Sequence, residues 1–240
     1  MLIKKGKAVY KMLTSMYSEE DILKLYTYIS DEKLFDPDNK DPIKFYEKTE
    51  YNEFSNFYPR NKKNTSFILY IDGESWPDTE LYFHVQKFNR GPGTTDLSHE
   101  YSKVIQGANT PAKVVKLANQ APPKFLADGT VWRDPKMDPR GKSKLGIVDN
   151  RLLSSIILKY TREVAPMRTD WDRVKFDIMR VANYHKYTQN PYLKRLLLET
   201  GDREIIEHSK DKIWGDGKNG KGQNWLGKIL METRYILSHE

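Results

Sequence analysis

Three side chains near the middle of the chain bring acid–base chemistry to helical spacing. Glu80, His84 and Lys87 fall at i, i+4 and i+7 of a segment that Pro77-Asp78 opens and Gly91-Pro-Gly93 closes, which predicts a helix over 79–90. A carboxylate, an imidazole and an amine on one line make either a salt-bridged helix face or the wall of a cleft. Leu81, Val85 and Phe88 repeat the spacing one residue later and are expected to face a core, so the polar line runs along that core's edge. His84 is read there as a packed or solvated histidine and left out of the chemistry.

A second stretch, 213–227, spells two nucleotide motifs and satisfies neither. Gly215, Gly217 and Gly220 give G-x-G-x-x-G, and Gly215 to Lys221 give G-x-x-x-x-G-K. Both motifs need a buried strand immediately before the glycines, and His208-Ser-Lys-Asp-Lys-Ile-Trp214 is too polar for one. The phosphate-loop reading also needs Ser or Thr after the lysine, where Gly222 stands. What remains is a turn-rich wall, expected to let backbone amides approach a ligand.

The rest of the composition narrows the classes. With no cysteine among 240 residues, thiol catalysis, disulfides and cysteine-held metals are excluded. The five histidines show no paired ligand spacing, so no metal is expected. A net charge of +7 favours anionic partners such as nucleotides or nucleic acid, although acidic and basic residues are interspersed and no basic arm stands out. The start, Met1-Leu-Ile-Lys-Lys-Gly-Lys, lacks the apolar stretch of a secretory signal, and no apolar run reaches membrane-spanning length. An intracellular, cytoplasmic protein is expected, with a nuclear location left open.

The elements that must position these groups are mainly helical. Ser18-Glu-Glu-Asp21 opens a helix over 18–30, and 31–50 reads as a polar connector with Pro37 and Pro42. Phe67, Leu69 and Ile71 alternate up to Asp72-Gly73, which predicts a hairpin returning through Glu74-Ser-Trp76. Further helices are predicted from Thr110-Pro111, over 146–160, from Thr169-Asp-Trp-Asp172 with Trp171, Val174, Ile178 and Val181 inward, and from Asn190-Pro191 to Gly201. Residues 202–209 read as a short strand or turn, and Asn224 is expected to cap a last helix. Residues 128–145 form an irregular insert. The fold class is therefore mainly α, an α+β fold with a minor β-hairpin: one domain with an N-terminal extension.

Four blocks in order resemble the YbiA-like, or NADAR, family: Asn52-Glu-Phe-Ser-Asn-Phe-Tyr-Pro59; Gly73…Trp76-Pro-Asp-Thr-Glu80 into Gln86-Lys-Phe88; Arg168-Thr-Asp-Trp171 with Lys175 and Met179; and Thr200-Gly-Asp…Glu207…Asp211…Trp214-Gly-Asp-Gly217…Gly222-Gln-Asn-Trp-Leu-Gly227…Leu230-Met231…Arg234. Each piece alone is weak, but together they span about residues 51–236. The chain departs from the family at Lys186-Tyr187, where Lys-Phe is usual, and in a longer 128–165 region. The resemblance divides the chain into a helical extension over 1–50 and a compact multihelical domain over 51–240 carrying the insert around 128–165. It implies an N-glycosidase acting on ribosylated nitrogen without a cofactor. The substrate is ADP-ribose on guanine, in nucleic acid or nucleotide, or else a phosphoribosylated pyrimidine of riboflavin synthesis. No membrane or obligate protein partner is implied.

Within that resemblance Glu80 is the catalytic carboxylate, stabilising the developing cation or activating water. Lys87 holds a phosphate or the leaving base, or attacks C1′ of the opened sugar as an amine. Asn56 and Phe57 are assigned to substrate; Asn56 otherwise reads as a turn former before Pro59. Asp211 either orients the sugar or caps the glycine loop. Trp171 and Trp214 either stack on a base or pack in the core. Gly215, Gly217 and Asn224 are expected to bind substrate from the loop. A silent binder of nucleotides or nucleic acid, using the same pocket, is the alternative class.

Overall fold

The computed structural model describes residues 34–46, 49–59, 67–108, 110–120 and 159–239. The predicted helix over 18–30 and the 128–145 insert lie outside the described residues, as does all of the predicted 146–160 helix except Lys159 and Tyr160. In chain order the described elements are β1 (Ile43–Phe45), a 3-10 turn (Asn52–Phe54), β2 (Leu69–Ile71), β3 (Glu74–Trp76), α1 (Thr79–Gln86), α2 (Asp96–Gln106), α3 (Pro111–Ala118), α4 (Trp171–Thr188), α5 (Pro191–Leu198), β4 (Ile205–Glu207) and α6 (Trp225–Ser238). The mainly helical class is as expected. None of these helices is long and apolar enough to cross a membrane.

Local signals account for most of this. Asp72 and Gly73 both take positive φ, the primed turn that joins β2 to β3 with Leu69 opposite Trp76. The Thr110 hydroxyl accepts the Lys113 amide and the Asn190 side chain accepts that of Leu193, so both X-Pro starts are capped as predicted. Gly201 ends α5 at a φ of +60°. Helix α1 stops at Gln86 rather than Arg90, because the next amides turn back three residues, Lys87 N to His84 O and Phe88 N to Val85 O.

Two elements differ from expectation. The polar connector contains β1, which pairs in parallel with β4: Ile43 opposite Ile205, Phe45 opposite Glu207. Its three residues carry no pattern long enough to read, and its partner lies far along the chain. Helix α2 was not anticipated; Thr95 and Ser98 cap it reciprocally, with serine in the place where the sequence signature has Glu or Gln. Asn224 stands at the start of α6, but its side chain caps nothing there. Its Oδ1 accepts the Glu207 amide at 3.0 Å and its Nδ2 donates to Ile205 O at 2.8 Å, so it braces β4.

The chain forms two compact units, 1–83 with 174–240, and 84–173. In the first, α6 buries Leu226, Ile229, Leu230 and Met231, and Phe45, Phe54 and Tyr187 form an aromatic chain with centroids 5.7 and 6.3 Å apart. Arg180 on α4 grips Glu232 on α6 through Nε and Nη2 at 2.8 and 3.1 Å. In the second, Tyr101 packs edge-on to Phe88 and stacks on Tyr160, its hydroxyl donating to Leu117 O. There the Lys87 ammonium lies 5.5 Å over the ring of Trp171, both residues buried.

Candidate active site

A cavity of about 260 Å³ opens within the first unit. The Asn52–Pro59 turn contributes Ser55, Asn56 and Phe57; α1 contributes Glu80 and Phe83; α4 contributes Met179. Tyr46 follows β1, and the segment leaving β4 adds Glu207, Ser209, Lys210, Asp211 and Trp214.

These walls are fastened to one another by backbone groups. Asp78 Oδ1 accepts the Leu81 amide at 2.7 Å, which caps α1 and sets Glu80 in its first turn. The Glu80 amide donates to Asn56 O at 3.2 Å and the Thr79 hydroxyl to the same oxygen at 3.1 Å, tying the turn to the helix start. From α4, the Lys186 ammonium donates to Glu53 O at 2.7 Å and Ser55 O at 2.8 Å, under the rings of Tyr58 and Tyr187. Lys186 is fully buried, and that burial pushes its pKa down to about 7, with Asp78 and Glu53 pulling the other way. Burial, with Glu53 and then Tyr192, pushes the Tyr58 phenol up.

The loop after β4 is a scaffold. Asp211 Oδ1 accepts the amides of Ile213 and Trp214 at 2.7 and 2.8 Å, so Asp211 caps the loop while also lining the cavity. Amides of the kind that cradle a phosphate are here engaged internally: Asp216 with Glu207 O, Gly217 with Asp211 O, Gly222 with Asp216 O and Asn224 with Gly215 O. A Cβ on Gly215 would stand 2.7 Å from Glu207 O and 3.2 Å from Asp211 O. That glycine is there for close backbone packing. Asp216 holds His208 Nδ1 at 2.7 Å and accepts the Lys218 amide. Burial pushes the Asp216 carboxyl up, but the His208 hydrogen bond, the Lys218 amide and the nearby charges outweigh it and hold the carboxyl below its usual range. Trp214 meets Phe83 edge-to-face at 5.3 Å and leans on Phe176 at 5.4 Å, giving the cavity an aromatic side.

Of the residues expected from sequence, Asn56, Phe57, Glu80, Asp211 and Trp214 line this one cavity. Gly215, Gly217 and Asn224, expected to bind substrate, are not among its lining; they shape and brace the loop behind the wall. Lys87 and Trp171 belong to the second unit. Glu207 was missed. Its signal was the register of β4, where a carboxylate repeats the inward position of buried Ile205 two residues on. Three carboxylates, Glu80, Glu207 and Asp211, face one lysine, Lys210, around the cavity. The wall is therefore acidic in a chain of net charge +7. Such a wall stabilises a cation and resists a polyphosphate.

The NADAR domain family matches residues 144–238. N-glycosidase YbiA of Escherichia coli is 30% identical over 200 residues, covering 82% of this chain and 89% of the relative. A riboflavin biosynthesis protein of Vibrio vulnificus is 30% identical over 80% of this chain and 38% of its own length. The NMR structure of the Escherichia coli protein superposes with a TM-score of 0.53 at 29% identity, covering 82% of this chain and 84% of that one.

Proposed function

We propose, since the chain belongs to the NADAR family of YbiA-like N-glycosidases, that it removes ADP-ribose from guanine, in nucleic acid or nucleotides, by hydrolysing the ribosyl C1′–N bond. The observation that carries this reading is the acidic, aromatic-sided cavity with Glu80 in its wall. Cleavage of a C1′–N bond passes through an oxocarbenium-like carbon, which a fixed carboxylate stabilises and a solvated one does not. The electron pair of the C1′–N bond leaves with the base nitrogen, which takes up a proton, and water oxygen bonds to C1′. Glu80 supplies the negative charge beside C1′ or accepts the proton of the attacking water. Ribose and base occupy a cavity of this volume, and the pyrophosphate stays outside the carboxylates.

Lys87 is the other residue that the family blocks assign to chemistry. As a holder of phosphate or base it forms no bond; as a nucleophile its neutral amine adds to C1′ of the opened sugar, the base nitrogen leaves with the C1′–N electron pair and takes up the amine's proton, and water hydrolyses the resulting Schiff base. Borohydride under turnover traps the second and not the first, and Lys87→Ala abolishes the adduct.

A phosphoribosylated pyrimidine is the second reading, favoured by the name of the Vibrio relative and by the modest cavity. The deciding experiment offers the purified protein ADP-ribosylated guanosine in DNA and the phosphoribosylated pyrimidine side by side, with base release read by mass spectrometry. Release from the first alone is expected. Release from the second alone replaces the substrate, and tight ADP-ribose binding with no release from either demotes the chain to a binder.

A further inference from the structure

The orientation of one amide restricts what the cavity can recognise, given the N-glycosidase reading above. Asn56 lines the cavity and is 7% exposed. Its Oδ1 accepts Asn183 Nδ2 at 3.4 Å and lies 3.0 Å from the Thr79 hydroxyl, whose one hydrogen it shares with Asn56 O. Asn183 cannot turn around, because the same Nδ2 donates to Met179 O at 3.0 Å and an oxygen there would face an oxygen. The fixed direction has a cost: Asn183 Oδ1 is buried with no hydrogen-bond partner. Thr79 and Asn183 are both fully buried, and Lys186 holds the preceding turn through Glu53 O and Ser55 O.

With Asn56 Oδ1 turned to Asn183 and Thr79, where a flipped amide would set its nitrogen against Asn183 Nδ2, the amide nitrogen is the group left for the cavity. Asn56 Nδ2 donates to none of the described residues, and unlike Asn183 Oδ1 it is not enclosed. An amide free to flip would offer a donor or an acceptor; this one offers a donor only.

We infer that Thr79 and Asn183 are positioning residues that hold the Asn56 amide nitrogen toward the cavity, so that the site selects a leaving base carrying a carbonyl acceptor and rejects one carrying an amino group there. A site whose polar group is left unpaired by the wrong ligand discriminates more strongly than an apolar pocket does.

Competition between two soluble heterocycles of one ring shape tests this, using hypoxanthine with its carbonyl and adenine with its amino group. Each is titrated against turnover of ADP-ribosylated guanosine, and its binding is measured directly by saturation-transfer NMR. The wild-type protein should favour hypoxanthine by about tenfold or more. Asn56→Asp leaves one oxygen for Thr79 and Asn183 and turns the cavity-facing nitrogen into an oxygen, so the preference should vanish or invert. Thr79→Val and Asn183→Leu should flatten the ratio, whereas a merely structural role would weaken both heterocycles equally. Equal binding of the two by the wild-type protein, or an unchanged ratio in Asn56→Asp, overturns the inference. Binding of neither, with base release intact, also overturns it and leaves the glycosidase reading standing. A clear preference in the NMR measurement with no base release from any ribosylated substrate upholds it and sinks that reading instead.

Discussion

Replacing Lys186 with methionine should change how stability responds to pH more plainly than it changes stability at any one pH. The Lys186 amine is fully enclosed, and its pKa is pushed from 10.5 to about 7. In the unfolded chain the same amine titrates at its ordinary value. Between about pH 7 and the unfolded value the unfolded chain therefore holds a proton that the folded chain has released. Unfolding free energy then rises with pH, by about 1.4 kcal/mol per unit where the difference is one whole proton. The sign follows from the depressed value: burying the charged amine is a cost fully present below about pH 7 and relieved as pH climbs toward 10.5. Over the whole window this amounts to at most on the order of 5 kcal/mol. The two hydrogen bonds to Glu53 O and Ser55 O survive deprotonation, since a neutral amine still has two hydrogens. Methionine fills much of the volume and binds no proton, so Lys186→Met should lose the slope. Urea unfolding followed by tryptophan fluorescence, in steps from about pH 6 to about 9.5, reads both curves while the tyrosines stay protonated. A wild-type curve that is flat over that range, or a variant that climbs in parallel with it, would refute the reasoning.

Other outcomes follow from the same geometry. Glu80→Gln should fold normally and lose nearly all base release; unchanged turnover removes Glu80 from the chemistry. Gly215→Ala presses a methyl against Glu207 O, a backbone atom that cannot swing away, and should cost about 1–3 kcal/mol in thermal unfolding together with activity. Gly217 sits at a φ of +70°, where a Cβ would stand 3.3 Å from the flexible Lys212 side chain, so Gly217→Val should cost about 1–2 kcal/mol, mainly through backbone strain, and leave substrate affinity nearly intact; an affinity loss larger than the stability loss would bring its amide into the site. The depressed Asp216 carboxyl contributes stability that is present above its unfolded value of 3.8 and lost as pH falls through the folded one. Wild type should therefore exceed Asp216→Asn at neutral pH, and the gap should close in acid.

Much of the site was legible because its signals are local. Pro77-Asp78 announces α1 and hence the place of Glu80, and Asp72-Gly73 announces the hairpin before it. The order of the four blocks pointed to Asn56, Phe57, Asp211 and Trp214, which share one cavity. The glycine stretch lacks the strand that both nucleotide motifs need immediately before the glycines, and its glycines shape the loop rather than line the cavity. Gly215 keeps clear of Glu207 O, and Gly227 lets α6 approach Ile205 O; neither contact is visible until β4 is in place.

Composition, spacing and block order thus determined the mainly helical class, the family and the residue types available for chemistry, because caps, turns and helical periods act over a few residues. Tertiary structure alone decided three things. It set Glu207 beside the cavity by pairing β1 with β4. It gave Asn224 to the strand instead of the helix it precedes. It enclosed Lys186, Asn183 and Thr79, so that an amine, an amide and a hydroxyl with ordinary local surroundings fix the direction of a fourth group. Enclosure removes water as the alternative partner, and which groups lose water depends on the packing of segments distant in sequence.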